Sequence, residues 1–108
     1  MSLSDDELFL KVRTLLDGLN VESRKMFGGI GIFSEKIMFS LIYDGILYFR
    51  STEDIASSYS VDSNQFRHLS RSSKMPYWSV PDEVMNDTSK FKDWADNAFH
   101  LAKSLKRK

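Results

Sequence analysis

Apolar residues recur at helical spacing near both ends of this chain. Ser4 followed by Glu7 is a capping-box pattern, which predicts that a helix begins here and ends near Gly18. Its apolar stripe is formed by Leu8, Val12, Leu15, Leu16 and Leu19. A final helix is predicted to begin at Thr88, where a second stripe starts. The members of that stripe are Phe91, Trp94, Ala95, Ala98, Leu101, Ala102 and Leu105.

The segment between these helices has the composition of β-strands. Residues 24–50 are rich in β-branched, aromatic and methionine side chains. They are interrupted only at residues 34–36 and at Asp44-Gly45, and the latter is a strong signal for a two-residue hairpin turn. This pattern predicts three antiparallel strands.

The Asp44-Gly45 turn sets which side chains share a face of the predicted hairpin. Residue 43 is expected opposite 46, and residue 41 opposite 48. One face would carry Phe39, Leu41, Tyr43, Ile46, Tyr48 and Arg50, and the other Met38, Ser40, Ile42, Leu47 and Phe49. Both faces are largely apolar, so either helices cover both sides or one side meets a partner. The candidate partner contacts are Phe39, Tyr43, Tyr48 and Arg50.

Shorter elements fill the rest of the chain. Thr52 followed by two acids predicts a short helix that ends near Tyr59. Residues 66–69 and 76–80 are short strand candidates around a Ser-rich turn, and a proline at position 76 favours an edge position or a strand start. Acids after Pro81 predict one further helical turn.

Length and composition agree with this order of elements. A chain of 108 residues is long enough for one apolar core, which predicts a single domain over residues 1–108. The fold class predicted is α+β, with an antiparallel sheet of about five strands flanked by helices in the order α-β-β-β-α-β-β-α. The chain has no cysteine and no apolar run of membrane-spanning length, so we expect a cytoplasmic protein with no membrane association.

A glycine-rich run interrupts the first strand region, at Met26-Phe27-Gly28-Gly29-Ile30-Gly31. Glycine weakens a strand, so the run indicates a bulge, a bend or a close approach of the backbone by something else. A two-residue turn at Glu35-Lys36 would place Gly29 and Gly31 on the face of Ser40 and Ile42. The resulting trough would accept a helix of this chain or, alternatively, a ligand or partner. The run lacks the Lys-Ser/Thr of a phosphate loop, which disfavours nucleotide binding.

One stretch has the composition of a nucleic-acid surface. No acid occurs between Ser63 and Pro81, and three cations lie there among aromatic residues. The candidate contacts are Arg67, Arg71, Lys74 and Trp78. Cations pair with phosphates and aromatic rings stack on bases, whereas the structural alternative places the rings in the sheet and the cations in solvated loops. The 15 basic and 15 acidic residues cancel, which gives DNA binding no support from net charge.

Other polar residues give no reactive site. His68 and His100 lack metal-ligand spacing, and no nucleophile motif is present, so we expect no catalytic residue, metal or cofactor. Arg50 is expected to form an ion pair with one of the nearby acids or, alternatively, to contact a protein partner. Those acids are Asp44, Glu53 and Asp54. The basic tail is interpreted as a solvated helix end, with a DNA contact as the alternative; it consists of Lys103, Lys106, Arg107 and Lys108.

Several of these motifs together resemble the N-terminal domain of the TfoX/Sxy family of bacterial competence regulators. The resemblance runs from about Arg24 to Ala102, and Trp78 replaces the tyrosine usual at its position. The matching residues are Met26, Phe27, Gly28, Gly29, Gly31, Met38, Phe39, Asp44, Gly45, Arg50, Met75, Pro76, Tyr77, Val80, Pro81, Trp94 and Ala95.

The resemblance implies a non-enzymatic protein-interaction module in positive transcriptional control of DNA-uptake genes. The implied partners are the cyclic-AMP receptor protein or RNA polymerase at competence promoters. Direct nucleic-acid binding and homodimerisation through the aromatic hairpin face are the alternatives. Longer family members add a helical C-terminal domain, so the chain is either a short member or the N-terminal part of a longer one.

Overall fold

Helices occupy both ends of the chain and strands its middle, as a computed structural model shows for residues 4–26, 28–67 and 74–106. The helices are α1 (Asp5–Leu15), α2 (Glu53–Tyr59), α3 (Asp82–Met85) and α4 (Thr88–Lys106). The strands are β1 (Val21–Met26), β2 (Gly29–Ser34), β3 (Ile37–Tyr43), β4 (Ile46–Arg50), β5 (Gln65–Arg67) and β6 (Lys74–Ser79). Within the described ranges, no helix is both long and apolar enough to cross a membrane.

The six strands form one antiparallel sheet in the order β1-β2-β3-β4-β6-β5. The predicted class, an α+β fold with an antiparallel sheet flanked by helices, is confirmed. Four strands form where three were predicted, because the chain reverses between Met26 and Gly29, which pair with each other. Gly28 makes this reversal with φ 80°, a conformation that glycine adopts readily.

The predicted helix starts are confirmed by their hydrogen bonds. The Glu7 amide donates to Ser4 Oγ at 3.2 Å, and the Ser4 amide donates to Glu7 Oε1 at 3.1 Å, which completes the capping box of α1. The Ile55 amide donates to Thr52 Oγ1 at 3.2 Å at the start of α2. These bonds satisfy amides that have no partner inside the helix.

Two-residue turns close both predicted hairpins. Glu35 and Lys36 have φ 52° and 66°, and Asp44 and Gly45 have φ 52° and 76°. Positive φ at both central residues matches the right-handed twist of the flanking strands. The predicted pairing of 43 with 46 and 41 with 48 is confirmed.

A bulge in β3 exchanges the predicted faces of Met38 and Phe39, whereas the faces predicted for residues 40–50 are confirmed. Phe33 pairs with Met38, but the next pair joins Ile32 to Ser40, so Phe39 has no partner residue on β2. One extra residue moves later side chains to the opposite face. Phe39 therefore lies on the helix side, with its ring centroid 6.0 Å from that of Phe99, and Met38 lies on the other side.

The bulge also places Gly29 and Gly31 on a different face of the sheet from the one predicted. Gly31 pairs with Leu41, and Ile30 pairs with Ile42. The predicted placement of Gly29 and Gly31 on the face of Ser40 and Ile42 is wrong, because the bulge places these glycines on the opposite face of the sheet, away from the helices.

The main core lies between the sheet and the four helices. Phe49 packs against both Phe91 and Trp94 of α4, at ring-centroid distances of 5.4 and 5.5 Å. Leu8 and Val12 of α1 join the same core, and α2 and α3 also contribute buried side chains to it. We call this the helix side of the sheet. All four helices therefore cover one side.

Candidate protein-interaction surface

A second apolar cluster lies on the opposite side of the sheet. Its three buried members are Leu41, Phe66 and Tyr77, and its partly buried members are Met38, Tyr43, Tyr48 and Met75. Every one of these residues belongs to β3, β4, β5 or β6. We call these seven residues the strand face, because no helical residue of the described ranges belongs to the cluster.

The strand face is concave because the sheet curls. The ring of Phe66 on β5 lies 4.7 Å from that of Tyr48 on β4 and 5.4 Å from that of Tyr43 on β3. In a flat sheet β5 and β3 would lie three strand spacings apart, which is about 14 Å. Phe66 is 1% exposed, and Tyr43 and Tyr48 form a partly buried aromatic rim beside it.

Tyr48 and Tyr77 of this face keep neutral hydroxyl groups at physiological pH, because the pKa of each is raised. Burial raises the pKa of Tyr48, and the nearby charges of Asp44 and Tyr43 raise it further. Burial also raises the pKa of Tyr77, against the opposing effect of the Arg50 guanidinium. Their hydroxyl groups can therefore donate and accept hydrogen bonds, as tyrosines at protein interfaces do.

Arg50 is the cation at the end of the strand face. It is half-buried and pairs with Tyr77, and its guanidinium carbon lies 5.8 Å from the centroid of that ring. The predicted ion pair with Asp44, Glu53 or Asp54 is not found. Among described residues the ion pairs join Lys92 to Asp17, His100 to Asp96, and Lys103 to Glu35.

A cleft connects the strand face with the end of α4. Its volume is about 380 Å³, and it contains the Arg50 and Lys36 side chains beside the apolar Leu105, which is 40% exposed. The remaining lining residues are Phe33, Ile37, Met38, Tyr77 and Ala102. The cleft thus combines apolar walls with the Arg50 guanidinium at its strand-face end.

The structure brings together three of the four predicted partner contacts. Tyr43, Tyr48 and Arg50 are half-buried on one side of the sheet. Phe39 was predicted to join them, but it is 0% exposed in the helix-side core, so it is not a surface contact. Its displacement follows from the bulge.

The predicted basic and aromatic patch is divided between the two faces. Trp78 pairs with Phe49 and packs against the helix-side core, whereas Tyr77 and Phe66 lie on the strand face. Arg67 pairs with Lys74 in the sheet, but their side chains lie outside the described part of the chain. Outside the described residues altogether are Phe27, His68, Arg71, Arg107 and Lys108.

Phe66 and Met75 were not predicted as contact-face residues. Phe66 stands between the polar residues Gln65 and Arg67, and this alternation is the signal that could have placed it on one face of a strand. Elsewhere, within the described ranges, no three metal-ligating side chains come together. Lys103 of the basic tail pairs with Glu35 at 3.3 Å.

An antiparallel sheet with helices packed on one side and aromatic strand residues on the other defines the chain as an α+β domain. The family model of the TfoX N-terminal domain matches residues 14–102, and the chain belongs to that family. A DNA transformation protein, TfoX1 of Aliivibrio fischeri, is 39% identical over 49 residues. That match covers 44% of this chain and 23% of the relative, so the chain spans well under two thirds of the relative's length.

The glycine-rich motif of the family serves the sheet in this chain. A Cβ atom on Gly29 would lie 2.1 Å from the Ile42 carbonyl oxygen, so only glycine fits there without backbone movement. A Cβ atom on Gly31 would lie 2.8 Å from Met26 Sδ, which belongs to a flexible side chain. The motif thus allows close strand packing.

Proposed function

We propose that this chain is a non-enzymatic protein-interaction module in positive transcriptional control of DNA-uptake genes, and that the strand face is its contact surface. The observation that carries the proposal is the difference between the two sides of the sheet. Among the described residues, helices cover one side, and the other carries an aromatic rim contributed by strands.

The chemistry of the strand face supports a protein contact. Tyr43 and Tyr48 offer large, rigid apolar area together with a hydroxyl group, and Arg50 supplies a cation at the rim. Tyrosine and arginine are enriched among the residues that dominate protein interfaces. Ile46, which pairs with Tyr43, is 44% exposed and extends the apolar rim.

The family supports the biological context. Membership of the TfoX N-terminal domain family and the likeness to a DNA transformation protein support a competence-related role. We propose the cyclic-AMP receptor protein or RNA polymerase at competence promoters as the partner. The setting proposed is the cytoplasm, where transcription takes place.

Binding of the full chain to purified cyclic-AMP receptor protein and to RNA polymerase tests the proposal. Ile46→Ser on the rim is compared with Leu10→Ser on α1, because both residues are exposed apolar residues, at 44% and 58%. We expect Ile46→Ser to weaken binding about tenfold, as loss of an interface anchor does, and Leu10→Ser to have no effect. Equal effects of the two variants would contradict the strand face as the contact surface.

A charge-reversal variant separates protein binding from DNA binding. Charge reversal of Arg67 and Arg71 together should leave the protein contact intact. If the two reversals instead abolish a salt-dependent binding of the isolated chain to DNA, the nucleic-acid alternative is supported.

A further inference from the structure

Among the described residues, the outer edge of β1 pairs with no other strand. β1 pairs with β2 along all six of its residues without a register shift, and it is the terminal strand of the sheet. The four central residues of β1 are exposed. A regular edge strand presents a row of unpaired amide and carbonyl groups, which is a template for another strand.

The charges along this edge alternate in sign on one face. Glu22 and Arg24 both lie on the side of the sheet that carries the strand face, because Glu22 pairs with Phe33 and Arg24 with Gly31. The guanidinium carbon of Arg24 lies 5.0 Å from the centroid of the Phe33 ring, which holds the cation on that face. The three ion pairs of the described residues include neither Glu22 nor Arg24.

We propose that β1 pairs antiparallel with β1 of a second copy of this chain, about a twofold axis that passes beside Ser23. A twofold axis normal to the sheet keeps both copies' faces aligned, and it places one residue of the strand opposite itself. With Ser23 at the axis, Glu22 of each copy faces Arg24 of the other. Two ion pairs form, and the two sheets join into one continuous sheet.

The charge pattern selects this register over its neighbours. Placing Glu22 on the axis would set two carboxylates against each other, and placing Arg24 or Lys25 there would set two cations against each other. Like charges directly opposite each other across strands destabilise the pairing, whereas opposite charges contribute about 0.2–1 kcal/mol. Val21 would face Lys25, whose aliphatic stem can cover it.

The expected dimer is weak and reversible. Pairing of the edge strands supplies about four to six backbone hydrogen bonds. The contact is smaller than the roughly 1,200 Å² of a standard stable interface. The dimer therefore depends on protein concentration, and it uses a different surface from the rim around Ile46 that the proposed function invokes.

A cysteine at the axis tests the register. The chain has no cysteine of its own, so Ser23→Cys introduces a single thiol. Opposed residues of antiparallel strands have Cα atoms about 4.5–5.5 Å apart, which permits a disulfide. We expect Ser23→Cys to form a covalent dimer on mild oxidation at least tenfold faster than Ser57→Cys, a control on the exposed side of α2. Equal rates would overturn the proposed register.

A charge swap tests the ion pairs. Sedimentation of the full chain should show the average mass rising with concentration. Glu22→Arg should weaken association at least tenfold, and the double variant Glu22→Arg with Arg24→Glu should restore it. A chain that stays monomeric at millimolar concentration would overturn the proposed dimer. A double variant that does not regain association, although its circular dichroism remains native, would also overturn it. Ile46→Ser should leave the association unchanged, which separates this proposal from the proposed function.

Discussion

Tyr59 stacks on Trp94, with ring centroids 4.9 Å apart and planes 10° from parallel. The contact joins the last residue of α2 to the middle of α4. The Tyr59 hydroxyl donates to Asp93 Oδ2 at 2.6 Å and accepts a hydrogen bond from Asn97 Nδ2. The stack and these two bonds hold α2 against α4, and so complete the helix cover on one side of the sheet.

This contact predicts a loss of stability in alkaline solution. Burial and the hydrogen bond to Asp93 raise the pKa of Tyr59 from 10.0 to about 12. Because the folded chain favours the neutral phenol, the stabilisation is complete below pH 10 and is lost as the pH rises through 12. Solvent screening keeps the effect small, since Tyr59 remains partly exposed.

Urea unfolding between pH 8 and 12 measures the Tyr59 effect. Tyr59→Phe keeps the ring stack and removes the ionisable group, so its midpoint should fall less with pH than that of the wild type. At pH 8 the same variant should lose about 0.5–1.5 kcal/mol, the net contribution of a hydrogen bond. Identical pH profiles for the two proteins would show that Tyr59 does not titrate differently in the folded chain.

Gly29 should tolerate no side chain. Gly29→Ala would place a Cβ atom 2.1 Å from the Ile42 carbonyl oxygen, which lies on the backbone of a central strand. We expect a loss of about 2 kcal/mol or more, since the strand must shift. Gly18→Ala is the matched control, because a Cβ atom at Gly18 has no neighbour within 4 Å. Equal melting temperatures for the two variants would contradict the close approach of the Ile42 carbonyl oxygen to Gly29.

The bulge in β3 predicts unequal costs at adjacent residues. Phe39→Ala should cost about 3–5 kcal/mol, because Phe39 is fully buried under α4. Met38→Ala should cost distinctly less, because Met38 is only partly buried on the strand face. Denaturant unfolding of both variants checks the order, and the reverse order would support the unbulged register that the turn alone predicts.

Asp5 should stabilise the β3–β4 hairpin, although it is distant from that hairpin in sequence. The Gly45 amide donates to Asp5 Oδ1 at 2.8 Å, which ties the first turn of α1 to the β3–β4 turn. Asp5→Ala should cost about 1–2 kcal/mol, since hydrogen bonds to charged groups are the stronger ones. Asp6→Ala is the matched control, because it removes a charge from the same helical turn without touching Gly45. Equal unfolding midpoints would contradict the link.

Local signals predicted much of this fold. The capping box at Ser4, the cap at Thr52 and the turn at Asp44-Gly45 each depend on residues close together in the chain, and all three are confirmed. The bulge at Phe39 places its ring against Phe99, which is distant in sequence. No local pattern encodes that contact, so the predicted faces are wrong for Met38 and Phe39 and for the glycines of β2, whereas those of residues 40–50 are confirmed.

The candidate surface was predicted only in part for the same reason. The pairing across one turn placed Tyr43, Tyr48 and Arg50 on one face. The curl that brings Phe66 onto Tyr43 joins strands that are not neighbours in the sheet. That curvature arises from the whole sheet, so the sequence patterns of single strands do not predict it.

The central claim is that the strand face, and not the helix side, contacts the partner. Backbone amide chemical shifts of the isotope-labelled chain, recorded during titration with purified cyclic-AMP receptor protein and RNA polymerase, test it most directly. We expect the amide shifts that change to cluster at Tyr43, Ile46 and Tyr48. Shift changes confined to the helix side, in α4 and around Leu10 in α1, would contradict the proposal. The absence of shift changes with either partner would also contradict it.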